Sequence, residues 1–417
     1  MSELEPIPAD EPEEHDWGAS APPVMPVPAG AKNWNSGAQR SLADVLPQQA
    51  DAVDEPSRAA IAIINEGLLH DDCTQLDGYG PDRFSAQVNG ENALLQLSFG
   101  SSEAYTAWVQ QLVDNAQSVT TWADIERDRM GVLDLPGGER LCVFLPTPGR
   151  YHLSFSLRKH NAAAWQIQDF VSLKTLDQRM LHFLQSCVAA HVNILFVGAM
   201  GSGKTSLLRS LAQFSIGDDE KIAVVEQVPE LAIAKPLVCE YIYQPKVDGL
   251  GLADVLDYNL YNGLSRLIVG EVHLEGLTKM LETMILTEGS MSTYHAYSSE
   301  QAGERMKMGL QLENANVTSE TAASYLRQAI ELIVVLEKVD GARRVTQVTE
   351  LDWRNSAGAD RLGGADIFKY DRQKKAFRGV SIPDSRNRVA QKCDKYGISL
   401  PQQWFLEPDE VNRHLRG

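Results

Sequence analysis

The sequence predicts an α/β protein built around a parallel sheet with a phosphate-binding turn, and two observations carry that prediction. The first is Gly198-Ala199-Met200-Gly201-Ser202-Gly203-Lys204-Thr205, a glycine-rich loop closed by a lysine and a threonine. It lies between the apolar run Val192-Asn193-Ile194-Leu195-Phe196-Val197 and a segment from Ser206 whose apolar residues recur at helical spacing, so it reads as strand, turn, helix. The second is a set of apolar runs that each end on a polar residue: Ile222-Ala223-Val224-Val225 before Glu226, Leu267-Ile268-Val269 before Gly270-Glu271, and Met291-Ser292-Thr293-Tyr294 before His295. Ligands of open parallel sheets bind beyond the carboxyl ends of the strands, so these ends should face one nucleotide. The pattern is that of a RecA-like P-loop NTPase core.

The remaining elements follow in chain order. Residues 1–58 hold nine of the nineteen prolines and eleven acidic against three basic residues, which predicts a disordered acidic tail. Residues 59–158 alternate short helix and strand candidates and predict a smaller N-terminal α/β domain. In it, residues 104–113 have helical period, and residues 140–146 and 151–158 form paired strands around Thr147-Pro148-Gly149-Arg150. Residues 159–355 form the P-loop domain, entered through a helix over 176–190. Its sheet should close with strands at 330–338 and 343–351 joined through Asp340-Gly341, a strong hairpin signal. Residues 356–417 remain as a C-terminal extension.

Composition narrows the function classes. With 417 residues, 43% of them hydrophobic, the chain can fill the cores of two or three domains. A net charge of −18 argues against a surface built to neutralise nucleic-acid phosphates, and no direct nucleic-acid partner is expected. The basic group Arg372, Lys374, Lys375, Arg378, Arg386 and Arg388 reads as a solvated face rather than a DNA or lipid surface. The acidic N-terminus has no apolar core of a secretory signal and no stretch approaches bilayer length, so a cytoplasmic protein is expected. Five scattered cysteines without a Cys-x-x-Cys pair read as core fillers.

The glycine loop has a defined chemistry. Its glycines let successive N–H groups turn inward onto phosphate oxygens, and the following helix adds the positive end of its dipole. Gly198, Ala199, Met200, Gly201, Ser202, Gly203, Lys204, Thr205 and Ser206 are the candidate binding residues, with Lys204 on the β and γ phosphates of ATP and the Thr205 hydroxyl as the Mg²⁺ ligand. Hydrolysis also needs carboxylates for water and metal, and cations for the charge of the transition state. Glu271 is the first carboxylate candidate, and Glu226 with Glu230 the second.

These residues resemble the type II/type IV secretion ATPase superfamily, which powers secretion, conjugation and pilus assembly. The resemblance runs from about residue 100 to the C-terminus. Its carriers are Asn193-Ile194-Leu195, Val225-Glu226-Gln227-Val228-Pro229-Glu230-Leu231, Ile268-Val269-Gly270-Glu271-Val272, Gly289-Ser290-Met291-Ser292-Thr293-Tyr294-His295-Ala296 and Asp340-Gly341-Ala342-Arg343-Arg344-Val345. The C-terminal part, Asp366-Ile367-Phe368-Lys369-Tyr370 through Tyr396-Gly397-Ile398-Ser399-Leu400-Pro401, looks most like the Tad/Flp pilus (CpaF-type) branch. The resemblance implies an acidic box at Glu226 and Glu230, a Walker B glutamate at Glu271, a histidine near the γ-phosphate at His295, and two N-domain arginines, Arg140 and Arg158, that clamp the nucleotide from above. It further implies a Mg-dependent ATPase, a homo-oligomer, in this family a hexameric ring, and a membrane-embedded secretion or pilus platform that the protein serves from the cytoplasmic face.

The sequence also departs from that pattern. Leu260-Tyr261-Asn262-Gly263-Leu264-Ser265 stands where the family carries arginines and a Pro-Asp pair, His273 replaces an arginine, Thr287-Glu288 replaces a second histidine, and Gln227 replaces an aspartate. Loss of a charge-stabilising arginine from a phosphoryl-transfer site lowers rate by about 10³ to 10⁵. Two rival readings follow: a nucleotide-gated assembly factor with little turnover, and a DNA-translocating motor on the same core.

Overall fold

The computed structural model describes residues 42–47 and 54–405, apart from 71, 89–90, 117, 119, 136–138, 147–151, 160–164, 244–248, 262, 264, 352–363 and 384–385. The expected tail therefore lies outside the described residues up to position 41. Within its remainder, Leu42–Val45 is helical, and Leu42, Val45 and Leu46 are buried in the N-terminal core. A second helix, Glu55–Leu69, starts at Asp54, whose side chain accepts from Ser57 N, and has Pro56 in its first turn. Described helical structure thus begins before position 58, with Leu42, Val45 and Leu46 packed into the N-terminal core.

The first sheet is antiparallel throughout. It comprises β1 (Cys73–Gly78), β2 (Phe84–Val88), β3 (Glu91–Leu95), β4 (Met130–Asp134), β5 (Arg140–Phe144) and β6 (Ser154–Arg158) in the order β3-β2-β1-β6-β5-β4. Burial alternates along β5 and β6, so Leu141, Val143, Phe155 and Leu157 face the core while Arg140 and Arg158 point away from it. The helix Ser102–Ala116 covers that face with Tyr105, Trp108, Val109 and Leu112. The paired strands expected here are present, and their turn falls outside the described residues.

The second sheet has nine strands: β7 (Ile194–Gly198), β8 (Ile222–Glu226), β9 (Val238–Ile242), β10 (Arg266–Val269), β11 (Met291–Tyr294), β12 (Leu332–Val339), β13 (Ala342–Leu351), β14 (Gly364–Asp371) and β15 (Ala376–Gly379). Their order is β15-β14-β13-β12-β7-β11-β10-β8-β9. From β12 to β9 every pairing is parallel, and β7, β8, β10 and β11 are buried at every position, as sheets covered on both faces require. The helices Gln178–Ala189 and Lys204–Ser215 share one core with one face, while Leu252–Leu260, Leu277–Leu286 and Ser299–Glu313 pack on the other.

The hairpin β12–β13 turns at Asp340 and Gly341, which adopt φ of 51° and 79°, the left-handed pair that the Asp-Gly signal calls for. The C-terminal extension is more integrated than its description implies. Strand β14 pairs with β13 and β15 with β14, and Phe368, Val389, Cys393 and Phe405 enter the core beside Phe196 of β7. No helix among the described residues is long and apolar enough to cross a membrane. Cys73, Cys187 and Cys393 are buried as expected, and Cys142 and Cys239 are partly exposed.

Candidate functional site

The glycine loop leaves β7, the middle strand of the nine, and enters the helix at Lys204. Gly201 and Gly203 have φ of 71° and 97°, so both need the left-handed region. A Cβ at Gly198 would strike the Leu336 carbonyl oxygen and come within 2.5 Å of Ser202 Oγ. Met200 is exposed at the loop tip, and Ala199 supplies a carbonyl to both Ser202 N, at 3.2 Å, and Lys204 Nζ, at 3.0 Å. Thr205 and Ser206 sit partly exposed in the first turn of the helix.

The loop is braced from the hairpin. Arg343 Nε donates to the Gly201 carbonyl at 3.1 Å, and a Cβ at Gly203 would lie 3.1 Å from Arg343 Cδ. Arg343 entered the sequence reading only as part of the family motif. A sequence separation of 142 residues from its loop partner gives no local signal of this contact.

The strand ends converge as the parallel topology requires. Lys204 is only 6% exposed, and burial pushes its ammonium down to about 8, opposed by the charges of Glu271 and Glu230 and reinforced by Arg158. Its Nζ lies 3.3 Å from His295 Nδ1, whose ring also meets the Gly198 carbonyl at 3.3 Å. On its other side His295 Nε2 is 2.9 Å from Glu271 Oε1, and His273 Nε2 approaches the same oxygen at 3.8 Å. With Nε2–H directed at Glu271, Nδ1 is left to accept from Lys204. Thr293 Oγ1 donates to the Gly270 carbonyl at 2.7 Å and Val272 N to the Thr293 carbonyl at 3.1 Å, which fixes the β10 and β11 ends side by side.

Glu226 behaves differently. It is 3% exposed, and its Oε1 accepts from the backbone N–H of Glu230 and of Leu231, both at 3.1 Å. Burial pushes this carboxyl up to about 8, the two amide bonds pull it down, and Glu230 and Glu240 push it up again. Glu230 itself is partly exposed and, unlike Glu226, is one of the carboxylates acting on Lys204.

The two arginines are directly opposite one another on β5 and β6. Arg158 is exposed and its charge reaches Lys204, whereas Arg140 is held 3.7 Å from Asp134 of β4. Like charges in register across a strand pair are destabilising until an anion joins them. Four of the six basic residues of the C-terminal group are paired within the chain: Arg372 with Glu337, Lys375 with Asp340, Arg378 with Asp371 and Arg388 with Glu331.

The loop's own geometry tests whether a triphosphate and its metal fit. Three glycine positions leave the concave side free of Cβ atoms, Ser202 Oγ is buried without a hydrogen-bond partner among the described residues, and a lysine ammonium and a threonine hydroxyl start the helix. The donor set fits. Cradles of this kind, at the carboxyl edge of a mostly parallel sheet, define the RecA-like P-loop class of α/β proteins.

Comparison with known proteins narrows the class. The family model described as type II/IV secretion system protein matches residues 135–359. The chain is 25% identical over 256 residues to the type IV secretion system protein VirB11 of Bartonella henselae, covering 51% of this chain and 71% of that protein. It is also 25% identical over 246 residues to the conjugal transfer protein TrbB of Rhizobium radiobacter, covering 58% of this chain and 73% of the relative. Among solved structures, the pilus retraction motor PilT with bound ADP aligns at a TM-score of 0.51 and 17% identity over 69% of this chain and 80% of that one. The ATPase DotB of Yersinia pseudotuberculosis aligns at 0.52 and 11% identity, covering 72% and 81%. The two structures share the fold. The chain belongs to the type II/IV secretion system protein family, and with membership comes the class of function, a motor ATPase of secretion or conjugation.

Proposed function

We propose that the chain binds ATP with Mg²⁺ at the loop 198–206 and hydrolyses it to ADP and phosphate, with Lys204, Glu271, Glu230 and His295 as the working groups. The observation that carries this reading is the linkage of buried Lys204 through His295, at 3.3 Å, to Glu271, 2.9 Å from the same ring, with the charge of Glu230 acting from the turn after β8. Lys204 would neutralise the β and γ phosphates, and its depressed pKa reflects a cation buried ahead of its anionic partner. Glu271 would orient the attacking water and take its proton, and His295, which touches both Glu271 and Lys204, would keep the two at their stations. Thr205 would hold Mg²⁺, which supplies charge neutralisation on the phosphate oxygens. Arg158, with Arg140 beside it, would close on the phosphates from the small sheet.

The motor reading extends this to partners. A homo-oligomer, in the hexameric form the family resemblance implies, would pass domain closure on to a membrane-embedded secretion or pilus platform. Within the family the Tad/Flp branch is our reading of the C-terminal residues. The test is phosphate release by the purified full chain with ATP and Mg²⁺. Turnover that EDTA abolishes and added Mg²⁺ restores supports the reading. Tight ATP binding without release selects the nucleotide-gated assembly factor, and stimulation of release by DNA selects the DNA motor.

A further inference from the structure

The turn that follows β8 is strained and held from two sides. Ala232 has φ of 39°, a left-handed backbone that a residue with a Cβ adopts only when its surroundings impose it. On the sheet side, Glu226 accepts from Glu230 N and Leu231 N through Oε1, and from Leu231 N at 3.3 Å through Oε2. On the helix side, Arg209 Nη2 donates to the Ala232 carbonyl at 3.4 Å. Gln213 brackets Ala234, accepting from its N–H at 2.8 Å and donating to its carbonyl at 3.0 Å. Arg209 and Gln213 belong to the helix Lys204–Ser215 that begins at the phosphate loop. Space for the carboxyl comes from β10: a Cβ at Gly270 would lie 2.8 Å from Glu226 Oε1 and 2.9 Å from its Cγ.

We infer that Glu226 is a positioning residue: its carboxyl holds the strained turn that presents Glu230 to Lys204, while Arg209 and Gln213 lock the same turn to the phosphate-loop helix. This deepens the function proposed above and rests on it for the role of Glu230. The resemblance implied a catalytic Glu226, yet its oxygens are spent on backbone amides inside the protein. The chemistry of the group agrees. Burial keeps its proton on near neutrality, and a carboxamide keeps the acceptor oxygen that receives both amides at 3.1 Å, losing only the longer contact of the second oxygen with Leu231 N. A group that works by accepting from amides survives conversion to glutamine; a group that works by charge, as base or metal ligand, does not.

The experiment uses the full chain with Glu226→Gln, Glu226→Ala, Gly270→Ala and Glu271→Gln, read by amide hydrogen exchange at residues 230 and 231 and by ATP turnover. Glu226→Ala and Gly270→Ala are expected to lose exchange protection at these amides and to lower kcat about 10- to 100-fold with KM for ATP little changed. Glu226→Gln should rescue both protection and turnover to within about threefold of wild type. Gly270→Ala keeps the carboxyl and reports the same displacement should the alanine variant at 226 fail to fold. Glu226→Gln as inactive as Glu271→Gln, with the amides still protected, overturns the inference, and so does full protection in Glu226→Ala. Absence of turnover in the wild-type chain strikes the proposed function instead, and the exchange readout still decides the positioning role.

Discussion

Both edges of the parallel sheet carry buried polar groups, but the groups are arranged to opposite ends. At the amino edge each one is matched. Asn193, one residue before β7, donates to the Met284 and Ala329 carbonyls and accepts from Ser290 N, while its own N–H reaches Glu331. Glu331, one residue before β12, also pairs with Arg388 and Lys392, and Arg266 at the start of β10 forms a two-point pair with Glu220 and donates to the Val188 carbonyl. At the carboxyl edge, Lys204 reaches His295 at 3.3 Å, Glu271 is shared between two histidines, and two groups are driven to pKa values near 8. One edge holds the strands in register; at the other, Lys204, His295 and Glu271 gather charge beside the glycine loop. Shifted groups occur at both edges, but at the amino edge His191, Glu220 and Glu288 each face a partner of opposite charge, as scaffold groups do.

That contrast can be broken or sharpened by mutation. The largest effect belongs to Lys204→Ala, expected to lower kcat/KM for ATP by about 10⁴ with no loss of melting temperature, because it removes a cation whose burial Glu271 and Glu230 offset only in part. A falling melting temperature would erase the distinction between the edges. Next is Arg266→Ala, which leaves Glu220 uncompensated and should lower stability by about 3–5 kcal/mol in urea unfolding, with unchanged turnover per folded molecule. Glu271→Gln should reduce kcat about 10²- to 10³-fold in phosphate-release assays while equilibrium ATP binding persists. Asn193→Ala strands two carbonyls and one amide and should lower stability by about 2 kcal/mol with kinetics intact.

A further prediction is a pH dependence. Glu226 has its folded pKa raised from 4.5 to about 8, so the folded state binds the extra proton, and the stabilisation it gives is complete below 4.5 and lost as pH rises through about 8. The melting temperature of Glu226→Gln should therefore gain on wild type across that window. A melting-temperature difference that stays flat or shifts toward wild type as pH rises would mean that the carboxyl is ionised when folded.

The carboxyl edge was legible in the sequence because its signals are local. Glycine spacing fixed the loop, an apolar run fixed each strand, and the next polar residue had to emerge at the edge. The amino edge was not. Asn193 and Glu331 meet across 138 residues and Arg266 and Glu220 across 46, and each read singly is a polar residue at a strand start, where solvent would also serve. The same limit hid Arg209, whose helix position resembles any charged residue on an amphipathic face, and made β14 and β15 read as an appendage, since Lys369, Arg372 and Arg378 mask the strand pattern until their acidic partners are seen. Glu226 was found for its position, and its carboxyl turns inward onto the Glu230 and Leu231 amides, a direction that a carboxylate at a strand end does not show in sequence.

The integration of β14 and β15 bears on biosynthesis. Translation delivers the chain from its N-terminus, and a ribosome that has reached Leu351 has released every residue of the phosphate loop but not Phe368, Val389, Cys393 or Phe405, which fill the interior next to Phe196 and Phe183. Nascent chains at that stage leave Phe183 and Phe196 without the C-terminal side chains that cover them in the finished fold, so this core closes only at the end of synthesis.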